Sequence, residues 1–213
     1  MRKDSLDPVH EPSWDALYWP EISQRDSMED CRDVFTGKMA LITAHPDDEV
    51  LWAGGLIQHG DFTVICCSVP RHDPIRAYKF FECCETLGVK SRLLPFSEGE
   101  PGKEFPHLIA LGDLSEFDGV LTHNKTGEYG HLHHKQVHSY VVENYKGPIF
   151  TFGFGEGEFA YRLTEDEFDN KMEAIQKYNH VLPYEGEMVE KSKALLHRYM
   201  KDQDIGLETF DAR

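Results

Sequence analysis

The sequence predicts an α/β fold, a mostly parallel sheet wound between helical layers. Three observations predict it. Short apolar runs at 38–44, 62–69, 118–123 and 147–154 alternate with stretches of helical period. Gly and Pro punctuate the boundaries between them. A His-Asp-Asp-Glu run and a cluster of histidines each follow a predicted strand, and in doubly wound sheets ligands sit beyond the carboxyl ends of strands.

Residues 1 to 37 mix Pro, Trp and charge without a period and read as an N-terminal extension, packed on the domain or partly mobile. Residues 38–213 read as a single domain. KMALITA (38–44) is the first strand, AHPDDE the loop after it, and VLWAGGLIQHG (50–60) a helix stopped by Gly60, with Gly54-Gly55 inside it for close packing on the sheet. FTVICCSV (62–69) is apolar on both faces, as a central parallel strand requires, and Pro70 ends it. From Pro74 to Gly88 the apolar Phe80, Cys84 and Leu87 fall at i, i+4 and i+7, a second helix with Pro near its start and Gly past its end. SRLLPF (91–96) is a strand, 97–106 a loop, and 107–116 carries a short helical stretch. DGVLTH (118–123) is a strand, NKTGEYG a turn, HLHHKQVHSYVVENY (131–145) a helix and GPIFTFGF (147–154) the last good strand. GFGEGEFAYR (153–162) reads as a surface loop or as a cover over the pocket, offering Glu156, Glu158, Tyr161 and Arg162. Two more helices follow, 164–178 with Phe168, Met172 and Ile175 on one face, and 188–199 with Met188, Leu195 and Tyr199. The result is a three-layer α/β/α sandwich of Rossmann-like form.

The 213 residues suit one domain with a real core, and 40% hydrophobic with 12% aromatic content is too apolar for a disordered chain. No run approaches the roughly 18 apolar residues of a membrane helix, so membrane insertion is not expected. Against 22 Lys and Arg stand 38 Asp and Glu, a formal charge of −16 that works against nucleic acids and anionic membranes. No G-x-G-x-x-G or G-x-x-x-x-G-K-[ST] follows the first strand, and the carboxylates in its loop would repel phosphate. The five cysteines form two adjacent pairs and a single residue without C-x-x-C, which reads as buried free thiols in a reducing cytoplasm. The N-terminal stretch shows no apolar core of a secretory signal.

His45-Pro46-Asp47-Asp48-Glu49 puts an imidazole and two carboxylates at a strand-to-helix junction. A loop there turns His45 and Asp48 inward together and leaves Asp47 free for another atom, although an Asp before a helix also serves as an N-cap. The second piece is Tyr129-Gly130-His131-Leu132-His133-His134, with His138 four residues on; of the 12 histidines, five lie between His123 and His138. His134 and His138 have the i, i+4 spacing of a helical zinc pair, but no H-E-x-x-H supplies a general base. A solvated polar face is the bland alternative. One carboxylate and two imidazoles without thiolate match a catalytic zinc site with a position open for water.

AHPDDE before a helix, an Arg-bearing helix ending in LG, and THN-x-x-GEYGH-x-x-H together resemble the PIG-L/LmbE-like de-N-acetylases, over roughly residues 38 to 180. Those are zinc-dependent hydrolases of N-acetylglucosaminyl lipids, mycothiol and bacillithiol precursors and other N-acetyl sugars. KMEAIQKYNH (171–180) resembles a weaker family element in which Lys and Tyr recur. The resemblance implies one Zn²⁺ per chain, with another divalent metal as the alternative, held by His45, Asp48 and His134. It implies Asp47 as general base, His131 as the residue that stabilises the tetrahedral intermediate or protonates the amine, and Tyr129 as an oxyanion aid. Arg71 or Arg76 resembles the arginine that grips the substrate. One position departs: the family commonly reads G-H-P-D-H where this chain has His133, so the carboxylate that partners the catalytic His is replaced, with Glu128 as a substitute acid.

The implied function is removal of an N-acetyl group from a small N-acetylated sugar or glycoconjugate. An amidase acting on a larger amide, and a non-catalytic metal- or ligand-binding module of the same fold, are the alternatives. No evident apolar or basic patch favours a lipid-linked substrate. The loops that would choose the sugar do not name it, and the sequence leaves a homo-oligomer open.

Overall fold

Residues 29–31, 33–69, 73–95, 108–153, 157–178 and 206–213 are described by the computed structural model. Their strands are β1 (Glu29–Asp30), β2 (Lys38–Thr43), β3 (Asp61–Cys66), β4 (Lys90–Leu93), β5 (Gly119–Thr122), β6 (Ile149–Phe152), β7 (Phe159–Arg162) and β8 (Leu207–Ala212). The helices are α1 (Asp48–Ala53), α2 (Ile75–Thr86), α3 (Leu132–Asn144) and α4 (Glu165–Gln176), with 3₁₀ turns at Leu56–Gln58 and Leu108–Leu111. All eight strands form one sheet in the order β1-β7-β8-β6-β5-β2-β3-β4.

Strands β4, β3, β2, β5 and β6 are parallel neighbours, and β8 runs antiparallel between β6 and β7. The α/β class with a mostly parallel sheet is therefore as the sequence predicts. From β2 the chain steps outward through β3 to β4, then crosses back to β5 on the other flank, so the strand order reverses between β2 and β5. Beyond their carboxyl ends the neighbouring connections diverge and leave a crevice.

Burial follows the period of two along β2. Met39 and Leu41 enter the core beneath α1, α2 and α4, where Leu51, Phe80 and Met172 lie, while Ala40 and Ile42 enter the opposite core with Val137 and Val141 of α3. Both faces are dry, which is why the run is continuously apolar. Phe35, just before β2, packs into the first core with its ring 4.7 Å from that of Phe150 and 5.4 Å from that of Phe210. Helix α4 starts with a capping box in which the Thr164 hydroxyl accepts from the Glu167 N–H and the Glu167 carboxylate accepts from the Thr164 N–H.

Several expected elements differ. The helix expected over 50–60 breaks into α1 and a 3₁₀ turn, because Gly54 ends α1 and the Gly55 and Leu56 N–H groups turn to the Glu208 carboxylate, each at 2.8 Å. The close packing expected of the glycine pair is real, since a Cβ on Gly55 would lie 2.3 Å from the Leu163 side chain. Among the described residues of the 107–116 stretch, Leu108–Leu111 forms a 3₁₀ turn in place of an α-helix. Within the expected loop 153–162, Phe159–Arg162 is strand β7, and Tyr161 is buried with its hydroxyl bonded to Glu167 Oε1, away from the pocket. Strand β8 was not expected. Arg71, Glu156, the helix expected at 188–199 and the loop at 97–106 lie outside the described residues.

A buried ion pair fastens α4 to this arrangement. Lys171 Nζ meets Glu208 Oε1 at 2.6 Å and donates to the Leu51 carbonyl at 3.2 Å, with both charged side chains excluded from solvent. Lys171, conspicuous in the sequence element 171–180, thus ties α4 and β8 to the helix that carries Asp48.

Candidate metal centre and active site

The site lies at the carboxyl ends of β2 and β5. The loop after β2 folds on itself, with the His45 N–H donating to Asp48 Oδ2 at 2.8 Å and the Asp48 N–H to the His45 carbonyl at 3.3 Å. Asp47 is therefore driven into the left-handed region at φ 114°, a costly place for a residue with a Cβ. It does not act as a side-chain N-cap. Its strain is held from both sides. The Asp47 N–H donates to Glu49 Oε2 at 3.0 Å, Glu49 Oε1 accepts from the Tyr178 hydroxyl, and Arg76 bonds both the Asp47 carboxylate and the Pro46 carbonyl.

From β5 comes the second half. In the turn after His123 the Asn124 side chain accepts from the Thr126 and Glu128 N–H groups at 2.9 and 3.1 Å, and Gly127 takes φ 69° with no room for a Cβ, which would meet the His131 carbonyl at 2.5 Å. This turn aims Glu128 inward, where Oε1 accepts from the Asn124 N–H at 2.8 Å. Its Oε2 faces both His123 Nδ1, at 3.0 Å, and His134 Nδ1. Burial works to raise the Glu128 pKa, but the two imidazoles outweigh it and hold it down to about 2, so the carboxylate is an ionised acceptor. Because the Ala44 N–H donates to His123 Nε2 at 2.9 Å, His123 presents its Nδ1–H to Glu128.

These contacts decide the orientation of His134. With Nδ1 turned to Glu128, its Nε2 faces Asp48 Oδ1 at 3.4 Å, buried and without a hydrogen-bond partner. His45 brings Nδ1 to 3.4 Å from Asp48 Oδ2, and one donor atom each of His45, Asp48 and His134 lie within 4.8 Å of one another. Burial lowers the His134 pKa and favours the neutral ring that can ligate. An orphaned nitrogen, a second imidazole and a carboxylate fit a divalent metal. A carboxylate on the far nitrogen of a ligating histidine is the usual outer support of such a site. We expect Glu128→Gln to weaken metal affinity by about 10–100-fold while the fold persists, as measured by competition with a chelator.

The site residues expected from the sequence come together around a small open pocket of about 120 Å³: His45, Asp47, Asp48, Arg76, Tyr129 and His131 line it, with Leu51 and Trp52 as its apolar wall. Tyr129 is 45% exposed, and its ring sits 5.8 Å from that of His131 and 5.5 Å from that of His134. Burial pushes the Asp47 carboxyl up to about 7, Arg76 opposing and the Asp48 and Glu49 carboxylates assisting. Burial, with His134 and His45 nearby, pushes His131 down to about 4.

One expectation about partners is corrected. Glu128 does not replace the missing carboxylate beside His131: it bonds His123 and His134, and His131 Nδ1 has no hydrogen-bond partner. His133 stands with its Nδ1 3.0 Å from His45 Nε2. His123 is the participant to which the sequence assigned no role, and Glu128, expected beside His131, serves His123 and His134 instead. The signal available was a lone Glu in a Gly-rich turn five residues after a strand-end His.

No family model matches the chain. Its sequence is 26% identical to a 1D-myo-inositol 2-acetamido-2-deoxy-alpha-D-glucopyranoside deacetylase of Corynebacterium diphtheriae, over 53% of this chain and 55% of that protein. The chain thus spans about half the length of the curated relative it matches. Among solved structures, the N,N'-diacetylchitobiose deacetylase of Pyrococcus horikoshii has a TM-score of 0.65 at 18% identity, covering 99% of this chain and 95% of that one. The 4-carboxy-2-hydroxymuconate hydratase GalB of Pseudomonas putida KT2440 has a TM-score of 0.59 at 17% identity, covering 83% and 96%. Fold and site therefore define an α/β protein with a candidate metal centre at the sheet's switch point. The sequence similarity to a deacetylase agrees with the resemblance to the PIG-L/LmbE-like de-N-acetylases. The hydratase shows that the fold alone does not choose the reaction.

Proposed function

We propose that the chain is a zinc-dependent de-N-acetylase acting on a small N-acetylated sugar or glycoconjugate, one ion per chain being held by His45, Asp48 and His134. The observation that carries this reading is the buried, unpartnered Nε2 of His134 facing Asp48, with the strained Asp47 carboxylate in the same pocket. A bound zinc would lower the pKa of a water to about 7 and polarise the acetamide carbonyl.

The chain's own groups do the rest. Asp47, held by Arg76 and Glu49, accepts the proton of the attacking water on a carboxylate oxygen. The protonated Asp47 then delivers that proton to the departing amine. His131, with a pKa near 4, is neutral at pH 7 and serves as a hydrogen-bond donor to the developing oxyanion, with Tyr129 at the exposed side. Arg76 acts on Asp47 first, and its reach to substrate is secondary; Arg71 keeps the substrate-gripping role only as a proposal from the sequence. The described residues enclose about 120 Å³ beside the candidate ligands, room for the acetamido end of a substrate.

The five cysteines are free and buried, which supports a reducing, cytoplasmic setting. Among the described residues no helix is long and apolar enough to cross a membrane. The test is amine release over a panel of N-acetyl hexosamines, free, nucleotide-linked and glycosidic, with chelator-treated and Zn²⁺-restored protein. Asp47→Asn is expected to lower kcat by about 10²–10⁴-fold with metal content unchanged. Full activity of that variant would remove Asp47 from the role of base, and silence across the panel would shift weight to the amidase reading.

A further inference from the structure

We infer that His45, His131 and His133 form a second metal site, for a divalent ion that prefers imidazole such as Zn²⁺ or Cu²⁺, and that its occupation blocks the reaction. One ring nitrogen from each of the three lies within 4.8 Å of the others, and His45 and His133 are buried. His45 Nε2 already stands 3.0 Å from His133 Nδ1, close to the roughly 3.3 Å that two nitrogens span across a tetrahedral zinc with bonds of about 2.0–2.1 Å. An ion there takes the place of the proton shared by that pair. The third ring is ready: His131 Nδ1 is buried and unsatisfied, and its ring centroid lies 4.8 Å from that of His45 and 5.3 Å from that of His133. Three ring nitrogens suit Zn²⁺ and Cu²⁺ and disfavour Mg²⁺ and Ca²⁺, which select oxygen.

This site is distinct from the one formed with Asp48 and His134, yet joined to it through one ring. His45 turns Nδ1 to Asp48 and Nε2 to His133, so each site uses an opposite edge of the same imidazole, and with both sites filled the ring bridges them as an imidazolate, its Nε2 proton released to solvent. The second ion consequently binds more weakly than the first. It also removes His131 from the pocket chemistry, and the inhibition, though not the binding, rests on the deacetylase reading. His133 creates the site, since it supplies an imidazole where a carboxylate would otherwise be expected.

Metal-free protein titrated with Zn²⁺ against a chromophoric chelator tests this directly. Wild type should take up one tight equivalent and a second, weaker one, whereas His133→Asn should keep the first and weaken the second by more than the roughly 10–100-fold typical of losing an outer partner. His133→Leu, which offers no ligand atom, should behave alike, and matching far-ultraviolet circular dichroism of both variants verifies folding. In the amine-release assay, excess Zn²⁺ should inhibit wild type and spare the variants. A second equivalent bound equally well by either folded variant overturns the inference. Uptake of a single equivalent by wild type overturns it and leaves the deacetylase site standing, while loss of the tight equivalent in His134→Ala tests that site separately.

Discussion

Replacing His134 with alanine is expected to abolish tight metal uptake and amine release together. The side chain offers the buried Nε2 that no hydrogen bond satisfies, and Glu128 fixes the ring from behind. Since removal of an outer-shell partner alone costs about 10–100-fold in affinity, deletion of the ligand should cost more than that. Metal content by elemental analysis and activity before and after Zn²⁺ addition provide the readings. His59→Ala is the control, because that imidazole is exposed and belongs to none of the candidate ligand groups, and its metal content should equal wild type. A His134→Ala protein that retains both tight metal and activity would refute the ligand assignment.

Lys171→Met is expected to destabilise the protein by about 3–5 kcal/mol, the cost of leaving a buried carboxylate without its partner. Glu208 is 1% exposed, so the stranded charge has no solvent to turn to. For a domain of this size the loss corresponds to a fall in Tm of about 6–20 °C. Adding Glu208→Gln to Lys171→Met removes the unpaired charge and keeps an oxygen for the Gly55 or Leu56 N–H, so the double variant should recover part of the loss. Thermal denaturation of the two variants and wild type measures this. A double variant no more stable than Lys171→Met would show that the loss comes from packing and not from the stranded charge.

Much of the fold is legible because a strand buried on both faces must be apolar at every position. β2, β3, β5 and β6 announce themselves in that way, and α2 and α4 through apolar residues at helical spacing. β8 does not. Its sequence LETFDA carries two acids, and it pairs with β6 and β7, so its strand character comes from partners more than 44 residues distant along the chain, as for Leu207 opposite Arg162. The break of the 50–60 helix was equally hidden, because the acceptor that turns Gly55 and Leu56 aside is Glu208, some 150 residues away.

The site divides in the same manner. Sequence by itself determined the donor types, one imidazole and two carboxylates after β2 and a histidine cluster after β5, and their place at the ends of neighbouring strands. Tertiary structure decided which groups meet. It gave Glu128 to His134 instead of His131, placed His133 against His45 across 88 residues of chain, and locked Asp47 into a strained backbone between Glu49 and Arg76. The physical reason is one of range: residue chemistry and local period are written along the chain, whereas hydrogen bonds and metal ligation form only when separate segments approach within about 3 Å.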